Sequence, residues 1–295
     1  MGTADELTDG EEWARGQLAQ LLHARFAPRA VAGFLAASQR RATMVRRSRP
    51  EVARREAVWA VLGAGGWLLL ARLGIDPFRG RVRSGLCGWG ATIVMLDWHL
   101  GMLETPDGRP RNLGPADAAT LLRAWLVPAV ADQPSAGLCA VGFVTDVLDG
   151  RLARASEPTR LGRDLETLVD AIFVVAALRG ARRRGWLGTA PIVGEGLRLL
   201  GGFAYAVGVY FGRADAPDGR LLRAGRVVAP VRAVGIVLAG AGHRRLGERL
   251  VVAGSAAGLA TSLVTVIGSR ATAKHEQQTE KSHRDQQADR YERLG

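Results

Sequence analysis

Cysteine is nearly absent from this chain. Cys87 and Cys139 are the only two among 295 residues, and they form no CxxC pair. That argues against a disulfide framework and a thiolate zinc site, and both thiols are expected as small buried apolar groups. Histidine is equally thin, with five scattered residues and no HExxH, which removes the familiar helical zinc-hydrolase motif. Lysine occurs only at Lys274 and Lys281, so arginine carries nearly all of the net charge of +12. Aromatic residues make up only 6%, and no basic patch is interleaved with them, so nucleic acid is not an expected partner. Residues 1–12 begin polar and acidic, which predicts no cleavable signal peptide. No internal repeat stands out.

What is present is an alternation of apolar and arginine-rich stretches. The chain is 47% hydrophobic, yet its mean hydropathy is only +0.04. Such a pattern suits anionic partners, and the placement of basic clusters beside apolar runs favours a lipid surface. Residues 1–55 form an arginine-rich N-terminal region with Leu18, Leu21, Leu22, Phe26, Val31 and Phe34 interspersed. They predict one or two amphipathic helices, lying on the cytoplasmic leaflet or standing as a solvated pair. Residues 56–104 hold two apolar segments, 56–75 and 84–104, each long enough to cross a bilayer, with Trp89 and Trp98 placed as interface anchors. A polar break rich in Pro and Gly follows, from Thr105 to Asp117. Shorter apolar segments lie at 118–131, 135–149, 164–180, 189–211, 226–242 and 250–268, and a polar tail occupies 271–295. The expectation is an all-α, polytopic membrane helix bundle. With the N-terminus inside, most of the loop arginines fall on the cytoplasmic side, although Arg182, Arg183 and Arg184 run against that bias. Asp97 and His99 are expected near the end of their span, paired or wet.

The chemistry concentrates in one stretch. Asp146, Asp149, Glu166 and Asp170 place four carboxylates within 25 residues, in a region otherwise built of apolar helix. Charged groups there are costly unless something neutralises them. Asp146 and Asp149 are three apart and Glu166 and Asp170 four apart, so each pair shares a helix face. If the two helices pack side by side, the four acids converge, and hard oxygen ligands select Mg²⁺, Mn²⁺ or Ca²⁺ over zinc. Two such ions, bridged by carboxylates, suit a diphosphate substrate. Gly150 leaves the backbone approachable, Ala153 permits close helix contact, and Arg154 offers a phosphate fork. The plainer alternative is acids that cap helices and pair with Arg151, Arg160 and Arg163.

This segment resembles the CDP-alcohol phosphatidyltransferase family, whose pattern is D-x2-D-G-x2-A-R-x8-G-x3-D-x3-D. The matching residues are Asp146, Asp149, Gly150, Ala153, Arg154, Gly162 and Asp170, and Thr120-Leu-Leu-Arg123 is similar to the family's upstream T-x-x-R. Two features depart from the pattern: the spacer after Arg154 is seven residues, and Glu166 stands where the family has Asp.

The resemblance covers about 112–270. It implies a six-helix membrane core with residues 1–110 as an extension carrying two extra spans. It further implies two Mg²⁺ or Mn²⁺ ions held by Asp146, Asp149, Glu166 and Asp170, and a CDP moiety across Asp146, Asp149, Gly150, Ala153, Arg154 and Thr120. Asp170 would be the general base for an acceptor alcohol that displaces CMP from a CDP-alcohol such as CDP-diacylglycerol. The site would face the cytoplasm, and family members tend to be homodimers. Arg198, Arg226 and Arg232 are candidates for the phosphate of an acceptor such as glycerol phosphate or inositol phosphate, or else pair with Glu195 or reach the headgroups. A divergent, non-catalytic protein that binds nucleotide or lipid on the same scaffold is the alternative.

Overall fold

The computed structural model describes residues 8–155, 159–208 and 219–260, together with their side chains except those of 205–208 and 219–227. Among the described residues the fold is all-helical, with no strand. An N-terminal group comprises α1 (Asp9–His23), α2 (Pro28–Ser48), α3 (Pro50–Arg72) and α4 (Val82–His99), with a short 3₁₀ turn at Leu100–Met102. After a loop come α5 (Pro115–Asp132), α6 (Ala136–Ala155), α7 (Arg160–Arg183), α8 (Thr189–Gly208) and α9 (Gly219–Gly240). A further helical stretch runs over 244–260. Within the described residues, each apolar segment picked out from the sequence lies largely on one of these helices. The tail 271–295 and residues 261–270 lie outside the described residues.

The helix ends follow from local chemistry. Proline opens α2, α3 and α5 at a first-turn position, where its missing N–H costs nothing. Thr8 caps α1 in a reciprocal capping box with Glu11, and the Thr159 hydroxyl caps α7 by accepting from the Gly162 amide at 2.9 Å. The Asp117 carboxylate closes the start of α5 by accepting from the Gly114 amide at 2.7 Å.

The central helix is α5, which packs against α7 and α6 more extensively than any other pair in the fold. α6 and α7 touch each other only lightly. The expectation that two acid-bearing helices lie directly side by side therefore needs correction. α5 bears on both, and its side chains connect them. Two glycines set the spacing. A Cβ on Gly142 of α6 would run into the Phe173 ring of α7, and one on Gly180 of α7 would run into the Val130 carbonyl of α5.

The N-terminal group is bolted to this core by tryptophan. Trp125 of α5 donates from Nε1 to the Gly63 carbonyl of α3 at 2.8 Å, and its ring meets Trp67 edge-on and stacks on Phe78. Asp97 at the end of α4 is paired, with Arg46 of α2 at 2.6 Å and Gln39 at 2.9 Å. Cys139 is buried as expected, but Cys87 is exposed, because among the described residues nothing covers its face of α4.

Among the described residues, no helix is long and apolar enough to cross a membrane. The predicted spans are helices, but their apolar character is diluted by charged side chains directed into the bundle, such as Arg123 in α5, Asp149 in α6 and Glu195 in α8. Large apolar side chains point outward instead, among them Val61, Leu62 and Leu69 on α3, Val175 on α7, and Val193 and Leu200 on α8.

Candidate active site

The acids gather around an arginine. Arg123 of α5 is 1% exposed and projects between α6 and α7. Its Nη2 donates to Asp149 Oδ2, its Nε reaches Thr145 Oγ1 at 3.4 Å, and its Nη1 faces Asp146 Oδ1 at 3.4 Å and Asp170 Oδ1. One turn earlier on the same helix, Thr120 Oγ1 donates to Asp149 Oδ2 at 3.0 Å. An arginine at this depth is stable only because carboxylates surround it.

Beside this cation, Asp146, Asp149 and Glu166 each bring one oxygen within 4.8 Å of the others. Two ligands on opposite sides of one Mg²⁺, Mn²⁺ or Ca²⁺ stand about 4–5 Å apart, so this spacing is that of a single coordination sphere. A second observation agrees. Asp149 is 2% exposed, and its Oδ1 is buried with no hydrogen-bond partner among the described residues, although Oδ2 has two. An unpaired buried carboxylate oxygen is expensive, and a divalent cation satisfies it. The donor set is all carboxylate, which is the chemistry of a hard cation.

Asp170 stands apart from the three. It faces the site from α7, but its Oδ1 lies against Arg123. Glu166, the longer acid where the resembled pattern has Asp, does reach the cluster. Gly150 lies on α6 with open space beside it, since a Cβ there would meet only the Arg154 guanidinium, at 3.4 Å. Arg154 itself is exposed, one turn further on.

Two cavities meet at the cluster, and they differ in character. The larger, about 1530 Å³, is walled by apolar side chains such as Phe143, Val147, Leu168 and Phe203, and reaches Asp146, Asp170 and Arg123. The smaller, about 670 Å³, is polar and reaches Asp149, Glu166, Thr120, Ala153 and Gly162 from the other side. Asp117, not singled out from the sequence, also lines it.

The far wall of the larger cavity holds Glu195, Arg198 and Arg232. Glu195 is 1% exposed, and its Oε1 takes Arg198 Nε at 2.7 Å and Arg232 Nη1, while Oε2 accepts from Ser255 at 2.8 Å. Pairing with Glu195 is therefore realised. Two guanidinium groups on one carboxylate still leave a net positive charge, and Arg232 Nε is buried without a hydrogen-bond partner among the described residues. Arg226 lies in α9, with its side chain outside the described residues.

Arg123 joins the candidate site through its contacts with Asp146, Asp149 and Asp170. The T-x-x-R spacing was visible, but only Thr120 was placed in the site.

Residues 116–239 match the family model described as CDP-alcohol phosphatidyltransferase. The family comprises metal-dependent, membrane-integral transferases that move a phosphatidyl group from a CDP-alcohol to an alcohol. No curated protein and no solved structure matches the chain.

Proposed function

We propose that the chain transfers a phosphatidyl group from a CDP-alcohol such as CDP-diacylglycerol to a polar alcohol, releasing CMP, with the bundle embedded in a membrane as a multi-pass protein and the site facing the cytoplasm. One observation carries the reading: the acid cluster stands where a polar cavity meets an apolar one. A CDP-alcohol has the same division, a nucleotide on one side of a diphosphate and an acyl-bearing alcohol on the other. Placed across the junction, its diphosphate lies at the acids, its cytidine in the 670 Å³ cavity and its lipid in the 1530 Å³ cavity.

Asp146, Asp149 and Glu166 would hold one Mg²⁺ or Mn²⁺, and a second ion would need Asp170 to turn from Arg123 toward them. A bound divalent ion supplies neutralisation of the diphosphate oxygens and of the charge that develops on the departing CMP. The chain's own residues do the rest. Thr120, Ala153, Gly150 and Arg154 line or flank the nucleotide side. Arg123 fixes the orientation of Asp146, Asp149 and Asp170. Asp170 opens onto the larger cavity and takes the proton from the acceptor hydroxyl. That oxygen forms a bond to the β-phosphorus as the bond from phosphorus to the CMP oxygen breaks. Arg198 and Arg232, on the opposite wall, give a net positive patch suited to a phosphate on the acceptor, of the glycerol phosphate or inositol phosphate type.

The assay is CMP release from CDP-diacylglycerol in mixed micelles with Mn²⁺, offered phosphorylated and unphosphorylated acceptors in parallel. The expected result is CMP and phospholipid in equal amounts with a phosphorylated acceptor. Asp170→Asn should lower turnover by about 10²-fold or more, as loss of a general base does. Absence of CMP with every acceptor would instead favour a non-catalytic protein that binds nucleotide or lipid.

A further inference from the structure

Half of the wall of the smaller cavity comes from residues before position 116, outside the segment that matches the family. Arg49 and Arg55 sit at the corner between α2 and α3, and the loop 103–114 lies between that corner and the acids. Arg49 donates from Nη1 to the Leu103 carbonyl at 3.4 Å and from Nη2 to the Arg111 carbonyl. Arg55 donates from Nη1 to the Leu113 carbonyl. On its other side the loop is held by α7: the Arg160 amide donates to the Glu104 carbonyl at 2.9 Å, and Arg160 Nη2 to the Pro106 carbonyl at 3.2 Å. Within the loop, hydrogen bonds from Thr105 and Arg109 push the Asp107 carboxyl down to about 2, so it stays ionised at working pH.

The charge pattern gives this clamp a purpose. The core side of the cavity brings Asp117, Asp149 and Glu166 with Arg163, and the N-terminal side brings Arg49, Arg55 and Arg111 with a single acid, Glu51, which pairs with Arg49 at 3.6 Å and leaves Arg55 facing the cavity. A volume of about 670 Å³ is within the usual range for a small-molecule site. A nucleoside diphosphate seated there has its metal-bound face toward the acids and its remaining phosphate oxygens toward cations.

We infer that the N-terminal extension completes the nucleotide pocket, with Arg55 a donor-recognising residue that meets a phosphate of the nucleoside diphosphate and Arg49 a positioning residue that holds the loop in place. This rests on the reading of the site as a CDP-alcohol transferase. It gives the extension a role in binding the donor, beyond anchoring. Arg55 is exposed and makes one hydrogen bond to the loop, so its replacement spares the core.

The test uses the full chain in detergent micelles, with CDP binding by calorimetry in Mn²⁺ alongside steady-state CMP release. Arg55→Ala should weaken CDP binding and raise the donor KM by about tenfold or more, the scale of one lost charge-assisted contact. Its kcat, acceptor KM and melting temperature should stay within about twofold or a few degrees of wild type. Arg55→Lys should recover part of the affinity, and Arg54→Ala, one position away and outside the cavity, should bind CDP as wild type does. Wild-type affinity for CDP in Arg55→Ala overturns the inference while leaving the transferase reading intact. A wild-type chain that neither binds CDP nor releases CMP overturns both.

Discussion

At the scale of single residues, the site is a balance between one buried cation and the carboxylates around it. Arg123 is the group on which that balance turns. Arg123→Met would strip the buried Asp149 carboxyl of its cation and leave it the Thr120 hydroxyl as hydrogen-bond donor, which costs about 3–5 kcal/mol. The expected outcome is a clear drop in melting temperature in detergent along with lost turnover, and an unchanged melt would mean that the acids do not depend on it. Glu166 makes a second residue-level case. Its extra methylene lets a carboxylate on α7 reach oxygens on α6, across a gap set by the intervening α5. Glu166→Asp should fall short. Changing even the groups behind metal ligands lowers affinity about 10–100-fold, so Mn²⁺ binding, followed by electron paramagnetic resonance, should weaken by at least tenfold. These residues were partly legible in the sequence. The spacing of Asp146, Asp149, Glu166 and Asp170 marked shared faces, because helical periodicity is local. That Asp170 would lie on Arg123, apart from the other three, was not legible. That pairing depends on the rotation of three helices about one another, which no local pattern encodes.

At the scale of elements, α5 determines where α6 and α7 stand. Its packing on both, and the close approaches at Gly142 and Gly180, bring the acids of separate helices to one point. Gly142→Val should force Phe173 aside and push α6 outward. Overpacking of this kind costs about 1–3 kcal/mol. The melting temperature should fall and Mn²⁺ affinity with it, although the substituted position is not a ligand. Retention of both would show that the acid geometry is not set at this crossing. The helices themselves were readable from apolar periodicity and from Pro and Thr at their starts. Their packing order was not. The direct α6–α7 pairing that the sequence suggested gave way to a three-helix arrangement, because α7 turns Gly162 and Gly180 to Asp117 and Val130 of α5.

At the scale of the whole molecule, the bundle buries several charged side chains within its apolar core and exposes many large apolar ones. Arg123, Asp149 and Glu195 are buried, while Val61, Leu62, Val175 and Leu200 are exposed. Each large apolar side chain moved from water into lipid gains about 1.5–3 kcal/mol, and such residues recur on α3, α7 and α8. Among the described residues the helices are individually short of the hydropathy of a membrane span, yet several carry large exposed apolar side chains. The expected outcome is that the chain stays in the membrane fraction through an alkaline carbonate wash and is released only by detergent. Release by the wash alone would contradict membrane embedding. The N-terminal extension belongs to this scale too. Its arginine content was plain in the sequence, but its place beside the acids was not, since Arg49 and Arg55 meet carbonyls about sixty positions away.

The most direct test of the central claim is the Mn²⁺ resonance of the full chain with CDP whose β-phosphate carries ¹⁷O. If Asp146, Asp149 and Glu166 gather a divalent cation against the donor's diphosphate, the label should broaden the Mn²⁺ lines in the wild type, and Asp149→Asn should remove the broadening. Lines indifferent to the label, or the same broadening in Asp149→Asn, would contradict the account.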